Sequence, residues 1–131
     1  MDPLIWEVDF VVQTNEDWRD IITLYEPWEG MDGSTSPPVD QPKIDLTDAL
    51  FSMHLRSEVD ATIVALSLTT ANGRIGHSGT PTDGKIIWNV DVAVMATVAP
   101  GIYVYDLVMT QDDVDRVIAR GTVEVVKGVT R

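Results

Sequence analysis

Reactive chemistry in this chain would have to come from a few places. His54 sits inside a Phe-Ser-Met-His-Leu-Arg run, and His77 lies beside Ser78 in a Gly-rich stretch. A serine nucleophile needs a base within hydrogen-bond reach and a carboxylate to orient that base. His77, Ser78 and several aspartates supply the residue types, but no spacing singles out one aspartate. There is no cysteine, no Gly-x-Ser-x-Gly turn, no phosphate loop and no His-x-x-x-His pair. Asp112, Asp113 and Asp115 offer the carboxylate oxygens that calcium takes, without the glycine and distal glutamate of an EF-hand. A solvated acidic turn that blunts a hairpin end is the expectation there, and Asp32-Gly33-Ser34 reads the same way. The chain is expected to be non-enzymatic, with no catalytic residue, cofactor or metal.

The aromatic residues leave more open. Trp6, Trp18 and Trp88 fall in strand-like runs, where tryptophan belongs to a core or a sheet face; stacked as a platform, they would instead bind sugars, as in a carbohydrate-binding module. Glu26 to Lys43 holds four of the seven prolines and two glycines, so it is expected to be an exposed loop inserted in the domain. Trp28 and Met31 are its apolar residues with reach. They either fold back as a lid or anchor a partner. Leu4 and Trp6, in the Met1 to Trp6 arm, form a second candidate contact.

The elements that would position these residues read as strands. Pro100 to Val126 predicts a long terminal hairpin, with Tyr103, Tyr105, Leu107 and Met109 on one face and an acidic tip. On its return, Val117, Ala119, Gly121, Val123 and Val125 share a face, and Ile118 spoils the polar face opposite, so the hairpin is expected to be covered on part of both sides. Leu4 to Val12 predicts a half-buried first strand, and Trp18 to Tyr25 a second, paired as an N-terminal hairpin or as the first step of a Greek key. Further strands are expected over Ala49 to Arg56, Ala61 to Thr70 and Lys85 to Val90, with an Asn-Gly turn at Asn72-Gly73. Asp91 to Ala99 predicts one short helical turn crossing between sheets, capped by Asp91, with Val92, Met95 and Ala96 on one face. The sum is an all-β fold, an antiparallel immunoglobulin-like β-sandwich with one helical turn near 91–99. Tyr103 after Pro100-Gly101 matches the tyrosine corner of such sandwiches.

Composition sets the frame. At 131 residues and 44% hydrophobic, the chain makes one globular domain with its own core. Its net charge of −12, from 21 acidic against 9 basic residues, disfavours nucleic acid and anionic membrane surfaces as partners. No apolar run reaches spanning length, and the opening Met-Asp-Pro-Leu-Ile-Trp-Glu lacks the basic start of a signal peptide, so synthesis in the cytoplasm is expected.

Several runs together resemble a family of small proteins of tailed bacteriophages and prophages. They are Phe10 to Thr14 with Asp17-Trp18, Asp45-Leu46-Thr47 leading to Met53-His54-Leu55-Arg56, and Thr70 to Ile75. Ala99 to Leu107 and the close Arg120 to Val125 complete them. The layout is similar to the immunoglobulin-like N-terminal domain of upper baseplate proteins, and it skips 26–43. The resemblance implies a virion structural protein that works by docking, without catalytic residues. Because the sequence stops at Arg131 with no receptor-binding region, a capsid decoration or cement protein is expected beside a tail or baseplate adaptor. The partners would be a major capsid or tail protein and further copies of the chain, and the location the virion. A glycan-binding module is the alternative.

Overall fold

The computed structural model describes residues 5–28 and 37–129. Among them, nine strands and one α-helical turn follow in order, with a 3-10 turn at Pro81–Asp83 beyond the single helical turn expected: β1 Trp6–Glu7, β2 Phe10–Gln13, β3 Trp18–Thr23, β4 Leu50–Leu55, β5 Leu66–Thr69, β6 Ile75–His77, β7 Lys85–Val90, α1 Val92–Met95, β8 Gly101–Gln111 and β9 Val114–Val126. They form two sheets. The larger runs β1–β9–β8–β4–β5, with β2 also on β9, and the smaller runs β3–β7–β6. Read as immunoglobulin strands, the small sheet is B–E–D and the large one A′–G–F–C–C′, so the sandwich is immunoglobulin-like.

Two departures from the expected pairing matter. The first and second strands do not form a hairpin: β2 joins the larger sheet and β3 the smaller, antiparallel to β7. The sheets are also not wholly antiparallel, because β1 and β2 both run parallel to β9, Trp6 opposite Ala119 and Phe10 opposite Val123. The interruption between β1 and β2 has a local cause. A Cβ on Gly121 would stand 2.2 Å from the Val8 carbonyl oxygen, so only glycine lets that carbonyl come in over the sheet. There it accepts the Tyr105 hydroxyl at 2.5 Å. Asp9, next along, accepts both the backbone N–H and the hydroxyl of Thr122, at 2.9 and 3.0 Å.

The terminal hairpin forms as expected. Tyr103, Tyr105, Leu107 and Met109 are all buried. Its tip is a two-residue turn in which Asp112 and Asp113 both have positive φ, as a type I′ turn requires. The return strand contains a β-bulge: Leu107 faces Ala119 but Val108 faces Val117, leaving Ile118 as the extra residue. Ile118 and Ala119 are therefore both buried, while Val117 points outward. This corrects the expected face of Val117 and accounts for Ile118.

The core lies between the sheets. Its centre is aromatic: Phe10 meets Trp88 at 5.0 Å between ring centroids, Trp18 at 5.3 Å and Tyr105 at 5.9 Å. This cluster links both sheets in a chain that has no cysteine for an inter-sheet bridge. The Trp88 indole points at the Met53 sulfur, 3.3 Å away. The tyrosine corner is present, with the Tyr103 hydroxyl donating to the Ala99 carbonyl.

Two further expectations change. The strand predicted from Ala61 starts only at Leu66. β4 ends at Leu55, opposite Leu66, and the chain turns away over 57–60, so Ala61 to Val64 have no β4 residue to pair with and Ile63 is exposed. In the helical turn, Asp91 stands at the cap position without a side-chain cap bond. Asp17, far back in the chain, instead accepts the Val92 N–H at 2.6 Å. Met95 and Val98 point into the core, while Val92 is exposed.

Candidate functional site

Of the four residues expected to contact a partner, Leu4 and Met31 lie outside the described residues. Trp6 and Trp28 come together, edge to face at 5.6 Å between centroids. Trp6 is the first residue of β1, on the inward side shared with Val8 and Phe10, and its indole N–H donates to the Tyr25 carbonyl at 2.8 Å. Trp28 follows the paired neck of the 26–43 loop. Tyr25 bridges Lys43, the Glu26 N–H reaches the Pro42 carbonyl, and Gln41 donates to the Glu26 carbonyl. Arg116 on β9 straps this neck by holding both oxygens of Glu26, at 2.9 and 3.3 Å. The two tryptophans thus close the sandwich beside a fixed neck, each half-buried. Trp18 and Trp88 are core residues, so the three tryptophans that suggested a sugar platform, Trp6, Trp18 and Trp88, are engaged within the protein.

The histidines do not meet. His54 lies on β4 of the larger sheet and His77 on β6 of the smaller. A His77 ring nitrogen sits 3.1 Å from the Gly79 carbonyl of its own loop. Among the described residues no group of three His, Asp or Glu side chains is placed to hold a metal ion. Asp112 and Asp113 make the turn, and Asp115 accepts the Thr110 hydroxyl at 2.6 Å.

The outward face of the larger sheet is where register collects polar and apolar groups without covering them. Ser67 stands opposite His54, Asp106 opposite Arg120, and Arg120 opposite Glu7. Because Met53 pairs with Leu107 and Arg56 with Val104, His54 falls opposite Asp106. The result is one row across five strands, Ser67–His54–Asp106–Arg120–Glu7. Arg120 bonds Glu7 at 3.2 Å, and Arg56, in the neighbouring row, donates to the Ala61 carbonyl at 2.9 Å. A shallow pocket of about 340 Å³ opens among His54, Arg56, Asp106 and Arg120.

Apolar side chains flank this row on both sides. Towards one end stand Ile102 (65% exposed) and Val11 (70%), and towards the other Leu50 (57%) and Val117 (37%). Such a face, with a polar middle and exposed branched residues around it, can bury area against another protein and fix its register through charge. Sequence reading missed it, since these residues alternate with core positions and look like ordinary solvent-side strand residues. The signal was the number of β-branched residues on the solvent side of the hairpin, Ile102 and Val117 among them, with Leu50 beside them on β4. The chain matches no protein-family model and no curated protein.

Proposed function

We propose that the chain is a non-enzymatic docking subunit of a tailed-bacteriophage virion, holding to a capsid or tail protein through the outward face of the larger sheet. The observation that carries the docking is the exposure of Ile102, Val11, Leu50 and Val117 around the Ser67-to-Glu7 row. The virion setting rests on the resemblance of the Asp45-Leu46-Thr47, Met53-to-Arg56 and Pro100-to-Leu107 runs to baseplate-type domains. Presented in several copies around a symmetric particle, modest contacts add through avidity. A net charge of −12 keeps unassembled copies apart and steers them towards a basic partner surface.

The test uses particles of the phage that encodes the chain, purified through a density gradient. Mass spectrometry is expected to find the chain in the particle band at a copy number that fits the particle's symmetry. Recovery only from the particle-free fraction would overturn the reading.

A further inference from the structure

A second surface lies at the end of the sandwich, where α1, the turn after β2 and the residues after β9 converge. A groove of about 600 Å³ opens there, floored by Val92, Ala96, Val98 and Pro100, with Thr14 and Lys127 on its rim. Its far wall is fixed: the Thr14 N–H donates to the Val126 carbonyl at 3.0 Å and its hydroxyl accepts the Gly128 N–H at 3.1 Å. We propose that this groove binds the apolar C-terminal tail of a partner protein, whose terminal carboxylate pairs with Lys127. The inference rests on the docking reading and adds a partner chemistry to it.

Charge and shape select that occupant. Lys127 is one of only 9 basic residues in a chain with 21 acidic ones, yet among the described residues it forms no ion pair. Of the carboxylates beside α1, Asp17 is taken up by the Val92 N–H at 2.6 Å and by Arg19 at 3.3 Å, and Asp91 at the cap position does not line the groove. A lysine at the rim of an apolar floor calls for an anion joined directly to apolar groups, which a chain terminus ending in aliphatic residues provides. An open groove of this size accepts a short extended segment.

The probe is the peptide acetyl-Val-Leu-Leu, prepared once with a free carboxyl group and once as the C-terminal amide, added to the ¹⁵N-labelled full chain. Saturable amide shifts are expected at Val92, Ala96, Val98, Lys127 and Gly128, with the amide form binding about threefold more weakly. Lys127→Gln should remove the difference between the two peptides while leaving the spectrum of the free chain otherwise unchanged. A second variant, Ala96→Trp, should fill the groove and abolish both. Equal binding of acid and amide, shifts centred elsewhere, or no saturable shifts would overturn the proposal. Docking through the outward sheet face would stand in that event, because particle incorporation is read separately.

Discussion

Strands β8 and β9 carry two opposed faces of one hairpin, and the two are held in place by different things. On the inward face, every large side chain has its partner within the protein: Tyr105 on Phe10 and the Val8 carbonyl, and Tyr103 on the Ala99 carbonyl. On the outward face, Ile102 stands largely exposed, and Asp106 is exposed beside Arg120. Inward residues are specified by the fold, whereas outward ones are free to be specified by something else. Gly121 is where the inward side is least tolerant. A side chain there meets the Val8 carbonyl at 2.2 Å and the Asp9 carboxylate at 2.8 Å, so Gly121→Val must push β1 and β2 off β9. The expected loss is about 3 kcal/mol or more, measured by urea unfolding. An unchanged midpoint would mean that the parallel strands contribute little to the fold.

Tyr105 sharpens the same comparison by pH. Burial, and secondarily the negative charge of Asp9, push its phenol well above the ordinary value. In the unfolded chain it ionises near about 10. Its contribution is therefore complete below that pH and declines as pH rises above it towards the folded value. Tyr105→Phe should cost about 1 kcal/mol at neutral pH through the lost bond to Val8. Above pH ~10 the variant should lose stability less steeply than the parent, as chemical denaturation across an alkaline series would show. Parallel curves would mean that the phenol is not buried in the fold.

The inward face was legible in the sequence and much of its support was not. Alternation at Tyr103 to Met109 and at Phe51, Met53 and Leu55 announces the strands, because each residue there needs only a core on one side. The pairing of β1 with β9 leaves no local trace, since Glu7 meets Arg120 across 113 positions. Asp17 capping α1 from 75 residues away is hidden for the same reason. The bulge at Ile118 left a trace, an apolar residue out of phase, but phase alone does not say which strand gains the residue. Ala61 to Val64 show the opposite failure: β-branched residues with strand propensity stay unpaired because no sheet edge reaches them. At the candidate sites, Trp6 and Trp28 stood out in the sequence by size, but only the fold turns one against the other.

Ile102→Asp tests the outward face directly. Its side chain is 65% exposed and supports no core contact, so the change in stability should stay within about 0.5 kcal/mol. Incorporation of the folded variant into particles should fall sharply against the parent in the same gradient. Normal incorporation would move the docking surface away from this end of the sheet. Loss of stability would instead make the outward face a structural one and erase the contrast with the inward face.

The smallest effect belongs to the ion pair in the polar row. Arg120 and Glu7 are 55% and 70% exposed at 3.2 Å, so water and salt screen their attraction. A double-mutant cycle with Arg120→Ala and Glu7→Ala is expected to give a coupling of about 0.3 kcal/mol, shrinking as salt is raised. A pair this weak can be exchanged for a partner's charge at little cost, which is what a docking row needs. Coupling above about 1 kcal/mol would show Arg120 committed to its own chain, binding β1 to β9 rather than waiting for another protein.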